Sequence, residues 1–211
     1  LFHYEIWRFN GGFLGVDIFF VISGFLMASI ISNSNENNNF SISNFYLRRA
    51  RRIIPALLTL IIVIILIGLI ILPPQELIKL SEHAGSSILF FSNFTYMDEA
   101  GYFDAVSINK WLLHTWSLSV EWQFYLLYPL LLKFFYILVA QNNIYFKNLI
   151  FHILLFAVLI LLSFKSYDVK PEFAFFMLPA RAWELIAGSI IFFIFKNKVI
   201  KNGLSIYSSF G

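Results

Sequence analysis

The sequence predicts an all-α fold, a polytopic bundle of transmembrane helices, on three observations. Of the 211 residues, 59% are hydrophobic and only 13% are charged. The mean hydropathy is +0.76, and soluble domains carry about 45–50% apolar and about 25% charged residues. The apolar residues also fall into runs of about 20, the length that a helix needs to cross a bilayer. The chain contains no cysteine, which excludes disulfide bonds and thiolate chemistry.

The first apolar run, residues 11–26 (GGFLGVDIFFVISGFL), contains a single carboxylate, Asp17. We predict a helix over residues 13–32, followed by a polar loop over residues 32–44. A charge at the centre of a membrane helix costs roughly 2.5–3.5 kcal/mol, so an intramembrane carboxylate is a candidate functional residue. The alternative is a tightly packed helix in which a neighbouring residue simply caps the carboxylate.

Small residues in this first run predict a close contact with another helix. Gly11 and Gly15 have the small-xxx-small spacing that lets two helix backbones approach each other in a membrane. Ser23 and Gly24 form a further small pair on the same segment. We therefore expect a second helix to pack against this one.

A basic cluster precedes the second predicted span, which covers residues 53–72. The cluster consists of Arg48, Arg49, Arg51 and Arg52. Four basic residues beside a span can fix the topology of the chain or bind anionic lipid. They can also form an anion site, because guanidinium groups bind phosphates in bidentate fashion. Both interpretations stay open at this point.

The segment after the second span predicts two short helical pieces. Residues 77–87 have an amphipathic pattern, and Ile88–Met97 is apolar but too short to cross a bilayer. We predict that Ile88–Met97 is a re-entrant segment or a buried short helix, which enters the membrane without crossing it. With the arginine cluster in the cytoplasm, this choice also places the later basic segments there, as the positive-inside rule favours. A reporter fused at Asp104 should then be extracytoplasmic.

Three further spans are predicted at residues 116–140, 149–164 and 178–196. They carry three charged residues, Glu121, Arg181 and Glu184, which we place toward the outer leaflet at a depth similar to that of Asp17. Arg181 and Glu184 are three residues apart, so they share a helix face and can pair. This pair has two interpretations: it holds helices together as a structural ion pair, or it belongs to a functional site.

Histidines and tryptophan complete the set of candidate residues. His3 is the plausible proton acceptor near neutral pH at this end of the chain. Trp116 stands at a predicted membrane border, where tryptophan commonly anchors a helix. We assign no functional role to His83 and His152. The sequence shows no motif typical of a metal site or of a nucleotide-binding loop.

Four stretches of the sequence carry a resemblance to a known family. They are LFH with GGFLGVDIFFVISGFL, RRARRIIPAL, LLHTWSLSVEWQFYLLYPLLL and LPARAWELIAG. Together and in this order they resemble the membrane-bound acyltransferase 3 family, in particular the O-acetyltransferases that modify bacterial lipopolysaccharide and other surface polysaccharides. The resemblance spans nearly the whole chain and implies a domain of about ten membrane helices. Residues 1–211 would be about half of that domain, truncated at both ends.

The resemblance also implies catalytic residues. The catalytic histidine of the family lies on the first helix shortly before the GGF stretch, and His3 matches that position. The family has two acids after the Ser-Val of the third stretch, where this chain has Glu121 followed by Trp122, so only Glu121 is carried over. The family arginine that lies about eleven residues before the histidine falls before residue 1.

A mechanism follows from the resemblance as an expectation. The donor is an acyl-CoA, with acetyl-CoA expected, which acts as a co-substrate and is held from the cytoplasm by the four arginines. The acceptor is a hydroxyl of a cell-surface or lipid-linked glycan, and nucleic acid is not expected as a partner. His3 acts as the general base, and Asp17 or Glu121 orients its imidazole. Further substrate-binding residues are expected at Arg181, Glu184 and Trp116.

The expected location is the bacterial inner membrane, in which the chain would be a multi-pass protein. Direct transfer and a transient acyl-enzyme are both compatible with the expected mechanism. The competing interpretation is a non-enzymatic transporter or lipid-binding bundle that uses the same buried charges.

Overall fold

The computed structural model describes residues 14–36, 40–100, 110–139 and 144–202, and within these ranges the chain is helical without a strand. The helices are α1 (Leu14–Glu36), α2 (Ile42–Ile71), α3 (Pro74–Ile88), α4 (Ser92–Glu99), α5 (Thr115–Leu138), α6 (Ile144–Val169), α7 (Pro171–Phe176) and α8 (Leu178–Asn202). Four stretches of the described chain are long and apolar enough to cross a membrane: α1, α2, α6, and α7 together with α8. The predicted all-α, multi-pass membrane fold is thus confirmed.

Helices α1 and α2 extend well beyond the predicted spans. The predicted bounds of the loop, residues 32–44, are wrong, because α1 continues to Glu36 and α2 begins at Ile42 instead of residue 53. Ser41 caps α2, and its side chain accepts a hydrogen bond from the backbone N–H of Asn44 at 3.4 Å. The arginine cluster therefore lies within the first turns of a helix. Hydropathy shows where the apolar side chains begin and end, but the helical backbone hydrogen bonds extend beyond the apolar run, after it in α1 and before it in α2.

Helices α3 and α4 form a folded-back segment beside α2. The prolines after Leu72 end α2, and α3 returns along it, so that the Leu80 side chain lies against Gly68. A turn that includes Phe90, at a positive φ of 57°, separates α3 from α4. Helix α4 has 8 residues and is about 12 Å long, which is too short to cross the ~30 Å hydrocarbon core.

Helix α5 runs in the opposite direction to α2. Near one end, the Tyr46 hydroxyl donates to the carbonyl oxygen of Leu126 at 2.8 Å, and near the other, Leu57 and Leu112 share a buried cluster. The chain between α2 and α5 therefore makes no net crossing, in agreement with the predicted absence of a crossing at Ile88–Met97. That this segment enters the membrane stays a prediction. Asp104 lies outside the described residues, and the reporter experiment there stays a prediction.

Helices α1 and α8 run side by side in the same direction. Asp17 pairs with Arg181 near one end, and the Lys196 ammonium lies 3.3 Å from the Ser32 hydroxyl near the other. Both contacts join residues that are 164 positions apart in sequence, so the two helices keep a constant register over several turns. Helix α6 packs antiparallel on the far side of α8, where the buried His152 lies between Tyr128 and Phe193.

The close contact between α1 and α8 is made by Gly24 and Gly188. A Cβ on Gly24 would overlap the backbone carbonyl of Leu185, and one on Gly188 would overlap the carbonyl of Val21. The expected close approach exists but uses the second small pair of the run. Gly15 does not make it, because a Cβ there meets nothing within 4 Å, and Gly11 lies outside the described residues.

We expect Gly24→Ala and Gly188→Ala each to lower the free energy of unfolding by about 1–3 kcal/mol, the usual cost of overpacking a well-packed contact. The added methyl meets backbone atoms, which cannot move aside by changing rotamer. The measurement is unfolding of the protein in mixed micelles with increasing denaturing detergent. Gly15→Ala, on the same helix with open space around it, is the matched control and should leave the transition in place. Equal transitions for all three variants would contradict the contact.

Candidate functional site

Arg181 of α8 pairs with two carboxylates, one on its own helix and one on α1. Its Nη1 lies 3.2 Å from Asp17 Oδ1 and 2.6 Å from Glu184 Oε1. The Glu184 side chain is fully buried and that of Arg181 is 16% exposed, so solvent screens this pair less than a surface ion pair. The predicted pairing of Arg181 with Glu184 is confirmed. The third member, Asp17, comes from a different helix, and spacing along one helix does not reveal it.

Aromatic rings and backbone also surround the Arg181 guanidinium. Its central carbon lies 5.0 Å from the Phe175 ring centroid and 5.8 Å from that of Trp116. Its Nε donates to the Phe175 carbonyl oxygen at 3.0 Å. Trp116 is buried and packs beneath the cation. Glu184 Oε2 is buried and has no hydrogen-bond donor among the described residues.

Glu121 forms a second cluster at a different level of the bundle. Its carboxylate is buried, and Oε1 accepts hydrogen bonds from the Ser23 hydroxyl of α1 and from the Tyr125 hydroxyl one turn later on α5. Ser23 lies about 9 Å beyond Asp17 along α1, at 1.5 Å per residue. The three carboxylates that we expected at one depth therefore lie in two groups. Asp17 and Glu184 both bind Arg181, whereas Glu121 has other partners at a different level.

A cavity of about 490 Å³, here called the central cavity, lies between α1, α2 and α5. Most of its wall is apolar, from residues such as Phe19 and Leu57, and its polar lining consists of Ser23, Arg49, Arg52, His114, Thr115, Glu121 and Tyr125. Along α5 the lining extends from His114 to Tyr125, about 16 Å at 1.5 Å per residue. The cavity therefore covers about half of a ~30 Å hydrocarbon core.

A second cavity of about 480 Å³, here called the arginine cavity, lies at the N-terminal end of α2. It is lined by Arg48, Arg49 and Arg52, with Asn33 and Ser34 from α1 among the other residues. Arg49 and Arg52 line both cavities, so the two spaces share a wall. Arg51 lines neither and is exposed. Three of the four predicted arginines thus converge, because their positions fall on one face of α2.

The structure places most of the predicted site residues in the Arg181 cluster, in the Glu121 cluster or in the walls of the two cavities. His3 lies outside the described residues, so its proposed contact with Asp17 or Glu121 stays a prediction. Sequence reasoning missed the roles of Ser23 and Tyr125. Tyr125 is four residues after Glu121, a spacing that places both on one helix face, so its pairing was readable from the sequence. His83 and His152, to which we assign no functional role, are both buried.

Comparison with known proteins gives a consistent result. The model of a family described as an acyltransferase domain, acyltransferase 3, matches residues 1–210. An uncharacterized protein of Haemophilus influenzae is 35% identical over 206 residues, which cover 92% of this chain and 83% of that protein. O-acetyltransferase OatA of Staphylococcus aureus is 34% identical over 207 residues, 97% of this chain and 34% of that protein.

A further relative is the peptidoglycan O-acetyltransferase OatA of Listeria monocytogenes, which is 32% identical over 187 residues, 88% of this chain and 30% of that protein. The chain thus spans about a third of the length of the OatA proteins that it matches. No solved structure matches the chain. Because the family model covers nearly every residue, the chain belongs to the acyltransferase 3 family.

Proposed function

We propose that this chain is the transfer domain, or part of it, of a membrane O-acyltransferase. It moves an acyl group from acyl-CoA on the cytoplasmic side to a hydroxyl of a cell-surface or lipid-linked glycan. The observation that carries the proposal is the pair of cavities that share Arg49 and Arg52. One cavity is rich in guanidinium groups, and the other is an apolar passage with one buried carboxylate, Glu121.

The arginine cavity is suited to the phosphate groups of the donor. Arg48, Arg49 and Arg52 present planar forks of N–H donors, which bind phosphate in bidentate geometry. The acyl thioester at the far end of the donor is neutral and less polar. The linker between the phosphates and the thioester would extend past Arg49 and Arg52 into the central cavity. Acetyl-CoA is the expected donor, since the named relatives are O-acetyltransferases.

The acceptor is a glycan hydroxyl on the opposite side of the membrane. The name of the Listeria relative specifies peptidoglycan, which favours a peptidoglycan-type acceptor over the lipopolysaccharide O-antigen that the sequence first suggested. His3 takes the hydroxyl proton as general base, and Asp17 or Glu121 orients its imidazole. We place the protein in the bacterial inner membrane, where a cytoplasmic donor and an outward-facing glycan are separated by one bilayer.

Replacing Arg52 with alanine should raise the KM for the acyl-CoA donor about 10-fold to 100-fold, the loss of one hydrogen-bonded phosphate contact worth about 1.5–3 kcal/mol. The KM for the acceptor and the membrane topology should not change. Arg51→Ala is the matched control, because it removes the same charge from the adjacent position, outside both cavities. Steady-state kinetics of the purified parent protein provide the measurement. Equal effects of the two variants, or an inverted topology with unchanged donor KM, would show that the arginine cluster sets the topology and does not bind the donor.

A reconstituted assay separates the enzyme from the competing interpretation of a transporter or lipid-binding bundle. The purified parent protein is placed in proteoliposomes with acetyl-CoA on the arginine side and a soluble glycan fragment on the other. The proposal expects release of free CoA thiol together with acylation of the fragment. A transporter would move a solute without releasing thiol, and that result would overturn the proposed function.

A further inference from the structure

Ser23 differs from the other serine and threonine side chains of the described chain in the acceptor that it uses. A serine or threonine within a helix often donates to a carbonyl of the preceding turn, as Thr59 does to Pro55 at 2.9 Å. Ser23 instead donates to the carboxylate of Glu121 on another helix. No other serine or threonine in the described ranges donates to a carboxylate. A carbonyl oxygen of the preceding turn could have satisfied the Ser23 hydroxyl, so hydrogen bonding alone does not require the contact with Glu121.

The contact between Ser23 and Glu121 is the arrangement of a nucleophile and its base. A hydroxyl becomes nucleophilic when an adjacent group within hydrogen-bond reach takes its proton, and a buried carboxylate fulfils that condition here. The Tyr125 hydroxyl donates to the same carboxylate oxygen, and the guanidinium carbon of Arg49 lies 5.7 Å from the Tyr125 ring. The carboxylate that would take the Ser23 proton is thus held in place by a second hydroxyl, with a guanidinium group beside the ring that carries that hydroxyl.

Ser23 also lies between the two ends of the central cavity. It lines the wall together with Arg49 and Arg52, which border the arginine cavity, and with His114, at the start of α5. A donor that enters past the arginines meets Ser23 before it reaches the far end. A hydroxyl in this place allows donor and acceptor to be used one after the other, so that neither has to cross the whole bundle.

We propose that Ser23 carries the acyl group as a transient ester between donor and acceptor. This inference rests on the proposed function and specifies its chemistry. Ser23 Oγ attacks the thioester carbonyl while its proton passes to Glu121, the C–S bond breaks, and the thiolate leaves with the proton that Glu121 held. The acceptor hydroxyl then attacks the ester carbon and gives its proton to the general base, which returns a proton to Ser23 Oγ as the ester bond breaks.

The experiment traps the ester in the complete parent protein in nanodiscs. The protein is mixed with acetyl-CoA labelled in the acetyl group, without acceptor, and is then denatured and digested. We expect label on the peptide that contains Ser23, released by mild alkali. Ser23→Ala should lose both the label and the transfer to acceptor. Ser23→Cys, which preserves the size of the side chain, should keep the label as a thioester that neutral hydroxylamine releases.

Ser29→Ala is the matched control, since it removes a hydroxyl from the same helix outside both cavities, and it should keep label and transfer. With wild-type protein, initial rates at several acceptor concentrations should give parallel double-reciprocal lines, as a two-step exchange requires. Transfer by wild type without label, label on another residue, or full transfer by Ser23→Ala would overturn the inference while leaving the acyltransferase intact. Absence of both thiol release and transfer in wild type would instead overturn the proposed function.

Discussion

Replacing Arg181 with methionine is expected to lower the free energy of unfolding by about 3–5 kcal/mol, the usual cost of removing one partner from a buried ion pair. Two carboxylates, Asp17 and Glu184, then face each other across α1 and α8 without the cation between them. The methionine fills a similar volume, so the effect reports mainly the lost charge. The measurement is detergent-induced unfolding of the purified protein in mixed micelles, followed by tryptophan fluorescence.

Two further variants separate packing from function at this cluster. Asp17→Asn retains the pair of Arg181 with Glu184, and Asp17 is 29% exposed, so we expect a smaller loss, within about 1 kcal/mol. Arg181→Met combined with Glu184→Met removes both buried charges and should recover most of the stability. If this double variant is stable but transfers no acyl group, the pair takes part in the reaction. If it is stable and active, the pair only holds α1 and α8 together, and no loss in Arg181→Met would contradict the buried pair itself.

His3→Ala in the complete parent protein is expected to reduce acyl transfer by about 10²-fold to 10⁴-fold, the usual contribution of a general base. The protein should still insert and fold, and its KM for the acyl-CoA donor should remain unchanged. This pattern is the opposite of the one expected for Arg52→Ala, in which donor KM changes. The test is a comparison of kcat and KM for the two variants in the same reconstituted assay. Full turnover of His3→Ala would exclude His3 as the base.

Asp17→Asn and Glu121→Gln test which carboxylate orients His3. The partner of an imidazole fixes its tautomer and raises its basicity, so loss of the true partner should lower kcat and shift its pH dependence. Asp17 already binds Arg181, and Glu121 already accepts two hydroxyl hydrogen bonds. A variant that lowers kcat without moving the pH profile identifies a carboxylate that acts through packing.

The sequence predicts the long apolar helices of a multi-pass chain, because a membrane span requires a long apolar run. The predicted span over residues 116–140 is the exception: α5 lies there, but it is not among the four stretches of the described chain that are long and apolar enough to cross a membrane. The sequence predicts helix ends poorly. The predicted start of α2 is eleven residues too late, because arginines lower the hydropathy of a helix without ending it. The Ser41 cap is a weaker signal than the apolar run. The folded-back α3 and α4 were readable from the shortness of Ile88–Met97.

The candidate site is predictable only where its partners share one helix. The pairing of Arg181 with Glu184 follows from a three-residue spacing. The contacts of Asp17 with Arg181 and of Ser23 with Glu121 join residues 164 and 98 positions apart, and they depend on which helices become neighbours. The same limit explains why the sequence does not show which glycine makes the helix contact. Gly15 and Gly24 both lie in a small-residue pattern, and only the position of α8 shows that Gly24 makes it.

The parallel alignment of α1 with α8 has a consequence for how the protein is made. The partners of α1 on α8 are synthesised 164 residues later, which takes about 10–30 s at 5–20 residues per second. During that interval the Asp17 carboxylate and the bare backbone around Gly24 lack their final neighbours in the membrane. We therefore expect early intermediates in biogenesis to depend on the insertion machinery to shield this face of α1. Ribosome-stalled chains that end before α8 should be degraded faster than chains that include it.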